Sequence, residues 1–221
     1  CFSCKTYTNK NEDKPIKNYI KGTIKAIKDR NLTLETCRKY AYTTTTCNNR
    51  PCEIATYRNL KGEINWQKIR YTDNKEFVIN KLKGKTEPLL FGMHLCPNGN
   101  KKLYITEGEI DCLTVSQIFD NKYPVVSIPN GVQGAVKAIK YNLEWINKFD
   151  EIVLVFDMDE PGRKAVEESA QLLPVGKAKI AVLPYKDPNE MLKKGLTKEL
   201  ENLLWRAREY RPDGIVYGGE L

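Results

Sequence analysis

Apolar positions along this 221-residue chain change rhythm near residue 101. Before it, residues 5–18 are polar, contain Pro15 and show no apolar period, which predicts a linker. Ile20, Ile24 and Ile27, then Leu32, Leu34 and Cys37, follow a helix-turn spacing, with a helix start predicted at Thr33. Four threonines at 43–46 favour a strand. Ile54–Arg58 and Ile64–Tyr71 alternate around the turn Asn59-Leu-Lys-Gly62, which predicts a hairpin. Residues 72–101, rich in Lys, Gly and Pro, are expected to be irregular.

After residue 101, short apolar runs appear at 103–105, 125–128, 152–156 and 180–183. Helix-length segments at 110–120, 134–147 and 162–173 separate them. This alternation predicts βαβ units and a parallel sheet flanked by helices. A last amphipathic helix is expected at about 197–209, with Glu199 and Glu201 near its start and Arg206 and Arg208 near its end. The expected organisation is a smaller basic α+β subdomain (19–100), an α/β domain (101–209) and an exit linker (210–221).

Acidic residues follow three of the apolar runs. The clusters are Glu107-Gly-Glu109-Ile-Asp111, Asp157-Met-Asp159-Glu160 and Asp187-Pro-Asn-Glu190. The C-terminal edge of an open α/β sheet is where ligands bind. Carboxylates converging there need a countercharge, and their hard oxygens suit Mg²⁺ or Mn²⁺. Such ions serve phosphoryl and nucleotidyl transfer. Acids at strand ends also cap the following helix, and that bland role is the expectation for Asp111 and Glu160.

Charge sharpens the contrast. Residues 1–100 carry 19 basic and 9 acidic side chains, a net of +10; residues 101–221 carry 17 and 19, a net of −2. The seven cysteines are scattered and do not form a disulfide framework, which suits a reducing compartment. No stretch reaches the roughly 20 apolar residues of a membrane helix. No phosphate-binding GxxxxGK[ST] loop is present, so a helicase motor is not expected within the chain.

The acidic strings Tyr104-Ile-Thr-Glu107-Gly-Glu-Ile-Asp111 and Phe156-Asp157-Met-Asp159-Glu-Pro-Gly-Arg-Lys-Ala165 resemble the two signature motifs of the TOPRIM domain. The wider set resembles the primase half of the bacteriophage bifunctional primase–helicases, relatives of the mitochondrial helicase Twinkle. That set adds Gly22-Thr-Ile-Lys-Ala-Ile-Lys-Asp-Arg30, Leu90-Phe-Gly-Met-His-Leu95 and Val182-Leu-Pro-Tyr-Lys-Asp-Pro-Asn-Glu190. The resemblance implies a TOPRIM fold that makes short RNA primers from ribonucleoside triphosphates on a single-stranded DNA template. Glu107, Asp157 and Asp159 would be the catalytic, Mg²⁺-binding acids, with Asp187 a further acid on the rim. A helicase domain of the same parent chain, hexameric in the family, and the cytoplasm of a phage-infected bacterium complete the expectation.

The resemblance also gives meaning to Cys1-x-x-Cys4. These would be the last two ligands of a zinc ribbon whose first pair lies upstream, and two ligands alone should not hold Zn²⁺ tightly. Residues 61–86 carry 7 basic and 3 acidic side chains. Lys68 and Arg70 share a strand face with Trp66. This is either an exposed lysine-rich hairpin anchored by the indole or a nucleic-acid surface with a stacking ring. The resemblance favours the second, with Lys68, Arg70, Lys75 and, in the run 81–85, Lys85 binding nucleotide and DNA. A non-catalytic helicase-coupling module and a TOPRIM nuclease or topoisomerase fragment are the alternatives.

Overall fold

The computed structural model of the chain describes residues 18–74, 76–81 and 86–211. Cys1, Cys4, the linker over residues 5–17, Lys75, Lys85 and the tail from 212 lie outside the described residues.

The first half forms α1 (Leu34–Lys39) and an antiparallel meander of β1 (Thr43–Cys47), β2 (Arg50–Arg58), β3 (Ile64–Tyr71) and β4 (Phe77–Asn80), paired in that order. Thr33 caps α1, its hydroxyl accepting from Thr36 N–H at 3.3 Å. The expected hairpin is β2–β3, with a register shift at Tyr57/Arg58 beside the turn. β4 was not anticipated: four residues among lysines and glycines give too little alternation to read.

The second half contains β5 (Lys102–Thr106), α2 (Glu109–Ile118), β6 (Val125–Ser127), α3 (Val132–Tyr141), α4 (Leu143–Ile146), β7 (Glu151–Val155) and α5 (Glu160–Ala170). There follow β8 (Ala178–Ile180), α6 (Pro188–Lys193), α7 (Thr197–Trp205) and β9 (Arg208–Glu209). Its sheet runs β6-β5-β7-β8-β9, parallel except for β9. The predicted 134–147 helix breaks at Asn142, whose side chain donates to Pro88 O and Ala138 O. The run 180–183 pairs only as far as Ile180. The last helix stops at Trp205, because Arg208 and Glu209 turn back to pair with β8.

From β5 the chain goes first to β6 on one side, then crosses to β7 on the other. Strand order therefore reverses at β5, and such a switch opens a crevice at the carboxyl ends of the two strands flanking it. Glu107 follows β5 and Asp157 follows β7, so the two acids straddle this crevice.

The two sheets share one core. Tyr40, Tyr42, Tyr57, Trp66 and Phe91 from the first half are buried in the same cluster as Tyr104, Leu113, Val126 and Leu154 from the second. Phe91 also makes an isolated antiparallel bridge to Ser127 on β6, at 2.9 and 3.2 Å. The far face of the small sheet holds a separate cluster of Cys52, Ile54, Ile69 and Tyr71. Among the described residues no disulfide forms, although Cys47 and Cys52 bring their sulfurs to 2.9 Å. None of the described helices is long and apolar enough to cross a membrane.

Candidate active site

Three loops bring the acids together, and local rules set each loop. Glu107 leaves β5 just before Gly108, the N-cap of α2. Asp157 leaves β7, and its backbone N–H donates to Glu107 Oε2 at 3.3 Å. Asp159 is the N-cap of α5, accepting from Gly162 N–H at 3.0 Å. A Cβ on Gly162 would lie 2.2 Å from Asp157 O, so only glycine lets α5 start this close to the strand end. The third loop is tied to the second: Met158 N–H donates to Lys186 O at 2.9 Å. Asp187 then caps α6, accepting from Glu190 N–H at 2.7 Å.

Two readings of single acids change. Asp111 does not cap α2, the helix it belongs to; it reaches the first turn of α6 instead. It sits in the first turn of α2, where its carboxylate accepts from Asn189 N–H at 3.3 Å and faces the charges of Asp187, Asp157 and Glu107. It is a further member of the acidic group. Glu160 is not the cap of α5 either; Asp159 is, and Glu160 occupies the first helical turn.

The group is electrostatically strained. Burial, then the charge of Asp157, lifts Glu107 from the ordinary carboxylate range to about 7. Burial and the neighbouring acids also raise Asp157, against the pull of Lys186. Asp111 is raised well above its usual range, first by burial and then by Asp187 and Asp157. Lys186 is the local counterion, its Nζ 3.5 Å from Asp157 Oδ2, and the acids raise its pKa in turn. The motif containing it was noticed in the sequence, but its charge was given no role.

The donor set fits a hard divalent cation: carboxylate oxygens only, mutually repelling and lacking full countercharge. Among the described residues no three His, Cys, Asp or Glu side chains close into a ready coordination shell.

The raised Glu107 predicts that any cation binding beside it depends on pH. Its folded pKa lies above the unfolded value, so the folded protein holds an extra proton between about pH 4.5 and 7. Stability from this group is greatest below that window and falls as pH rises through it. A cation entering at pH 6.5 should expel about one proton, and at pH 8.5 almost none. Calorimetric Mn²⁺ titrations in two buffers of different ionisation enthalpy measure this; equal heats at pH 6.5 would contradict it.

The basic face of β3 borders this site. Register places Trp66, Lys68 and Arg70 opposite Tyr57, Ala55 and Glu53 on one side of the small sheet, as expected. Trp66, however, is 2% exposed, stacks on Tyr57 at 3.7 Å and donates from its ring N–H to Glu87 O. It is the anchor of the hairpin and not an available stacking surface. Lys68 is held by Glu109 at 3.0 Å and by Pro129 O at 3.1 Å, and Tyr57 O–H donates to the same Glu109 carboxylate. Arg70 pairs loosely with Glu53 at 3.7 Å.

Lys68 thus touches the loop Pro129-Asn130-Gly131 between β6 and α3. Gly131 has φ +60°, a conformation that favours glycine, and its Cα approaches Glu107: a Cβ there would lie 3.5 Å from Oε1. One short path of contacts therefore links the basic strand to the acids.

Comparison with known proteins agrees with this geometry. A family described as Toprim-like matches residues 104–192, and one described as the bacteriophage T7 DNA helicase/primase N-terminal α+β fold matches residues 22–80. The DNA helicase/primase of Enterobacteria phage T3 is 44% identical over 187 residues, covering 85% of this chain and 32% of that protein. The chain thus spans about a third of the length of that relative. The crystal structure of the primase fragment of the bacteriophage T7 primase-helicase protein superposes with a TM-score of 0.78 at 44% identity, covering 83% of this chain and 75% of that one. The primase domain in a complex of bacteriophage T7 lagging-strand DNA polymerase with two gp4 subunits, an RNA/DNA hybrid and dTTP gives 0.80 at 44% identity, covering 86% and 94%. With both sheets accounted for and most of the T7 primase fragment matched at this identity, the chain belongs to the phage T7-type DNA primase–helicase family.

Proposed function

We propose that this protein is a DNA primase, joining ribonucleoside triphosphates into short RNA primers on a single-stranded DNA template with Mg²⁺ or Mn²⁺. The observation that carries the reading is the group of acids astride the switch crevice, with Glu107 lifted to about 7 by burial and Asp157. Glu107, Asp157 and Asp159 would hold the cation, with Asp111 and Asp187 shaping the charge around them. The bound cation would neutralise triphosphate oxygens and stabilise charge developing on the leaving pyrophosphate. Glu107 would take the proton of the attacking 3′-hydroxyl. Lys186, half-exposed beside Asp157, is free to turn toward phosphate oxygens when a substrate arrives. Lys68 and Arg70, with Lys75 and Lys85, would serve nucleotide and DNA binding on the basic side.

The remaining parts of the reading rest on the family. They are Zn²⁺ at a ribbon that includes Cys1 and Cys4, a helicase partner assembled as a hexamer, and a cytoplasmic setting. The domain limits 19–100 and 101–209 are proposed on the same basis.

The test is incorporation of a labelled ribonucleotide on single-stranded DNA, with a short oligoribonucleotide supplied and Mg²⁺ or Mn²⁺ present. Template-dependent incorporation that disappears in Asp159→Ala is expected. Its absence from well-folded wild-type protein under every cation condition would favour the non-catalytic coupling role.

A further inference from the structure

The basic face of the small sheet does not end at β3. β4 is an edge strand, and its side chains alternate. Val78 packs into the far-face cluster with Ile69 and Tyr71, and Asn80 is buried, donating to Gln67 Oε1 at 3.1 Å. Phe77 and Ile79 therefore emerge on the opposite side, the side of Lys68 and Arg70. Register sets Phe77 directly across from Arg70 and Ile79 across from Lys68. Both are large apolar side chains left open to solvent, Phe77 at 52% and Ile79 at 45%.

A single exposed apolar side chain needs no explanation. This pair differs in its company. Lys68 Nζ lies 4.7 Å from the Phe77 ring centroid, and the Arg70 guanidinium carbon lies 6.0 Å from it. The same Lys68 contacts Pro129 O, at the head of the loop that borders Glu107. The patch is thus an aromatic ring fixed between two cations, one lysine away from the acid site. It lies in the half of the chain with net charge +10.

We infer that Phe77, flanked by Ile79, is a stacking platform for a base of single-stranded DNA, with Lys68 and Arg70, each held in its own ion pair, lying behind the ring. The chemistry is the sequence-tolerant pairing of a π face with a basic groove. This deepens the primase reading and rests on it for the direction in which the strand runs past the acids. It takes over the role that the sequence suggested for Trp66, which the core has claimed.

Affinity for a labelled oligodeoxythymidylate, measured across a salt series with the whole chain, tests the assignment. Stacking of one base contributes about 1–3 kcal/mol, so Phe77→Ala should weaken binding about 5- to 150-fold. Phe77→Trp should bind at least as tightly as wild type, and its indole emission should be quenched by the oligonucleotide. The salt slope should be unchanged in Phe77→Ala, because stacking releases no counterions. Phe77 is exposed, so folding should survive; Phe77→Leu, which keeps apolar bulk without a π face, should lose most of the affinity as well. Binding by Phe77→Ala within twofold of wild type would overturn the proposal. So would a reduced salt slope, which would mean that cations had been disturbed instead. Quenching of Phe77→Trp by ATP but not by the oligonucleotide would also overturn it, giving the platform to a nucleotide. Failure of the primase reading is separate: wild type would then bind the oligonucleotide through Phe77 and incorporate nothing.

Discussion

Asp157→Asn should reduce ribonucleotide incorporation by about a hundred- to a thousandfold while making the cation-free protein more stable. The amide keeps the shape of the carboxylate but loses a charge needed for the cation, and deleting one preorganised electrostatic group in an active site typically removes 10²–10³ in rate. Stability moves the other way. Asp157 is held above its ordinary range because burial and the acids at 159 and 187 outweigh Lys186. The Lys186 contact is weak, at 3.5 Å to a side chain 59% exposed, and such pairs contribute at most about 1 kcal/mol. Removing the Asp157 charge also relieves Glu107 and Asp111, both raised by it. A net gain of about 1 kcal/mol in urea denaturation at pH 8 is expected, an opposition of stability and function typical of strained sites. Loss of incorporation together with loss of stability would mean that Asp157 is structural.

Lys68→Met should destabilise the fold by about 3–5 kcal/mol, the usual result of removing one partner from a buried ion pair. Lys68 and Glu109 have side chains only 14% and 10% exposed. Without the ammonium, Glu109 keeps only the Tyr57 hydroxyl, and the loop at Pro129 loses its tie to β3. For a chain of this size the melting temperature should fall by about 6–20 °C. Lys68→Met combined with Glu109→Met should recover most of the loss, since an apolar pair replaces a buried charge pair with little penalty. A single variant as stable as wild type would place Lys68 among the exposed lysines, which is how its sequence context first presents it.

Fold and acids were readable for different reasons. The second half announced itself because its strands are buried on both faces and appear as short apolar runs separated by helix-length spacings, so β5, β6 and β7 were found within a residue or two. β4 and α6 were too short to carry a period. Glu107, Asp157, Asp159 and Asp187 could be grouped from the sequence because strand-end position and residue type are both local. Asp111 was expected to cap the helix that follows its strand; its carboxylate meets the first turn of α6 instead, an approach of distant segments that local sequence does not show. The basic strand was read correctly for face and wrongly for exposure. Alternation shows that Trp66, Lys68 and Arg70 point the same way, but not which of them the neighbouring sheet covers. That depends on Tyr57 and Glu109, one across the sheet and the other 41 residues on.

The shared core has a consequence for how the chain is made. Synthesis proceeds from the N-terminus, and the meander β1–β4 is complete by Asn80, yet Tyr40, Tyr57, Trp66 and Phe91 close against strands that do not yet exist. β5 is flanked on both sides only after Val155 has emerged, since its neighbours are β6 and β7. At about 5–20 residues per second the aromatic face of the small sheet waits several seconds uncovered, inviting wrong partners in the meantime. The bridge from Phe91 to Ser127 is then more than a detail of packing. It is a backbone-to-backbone link that can form once Ser127 has emerged, adding to the side-chain ties that Glu109 already makes to Tyr57 and Lys68, and it helps fix the alignment in which the two halves meet.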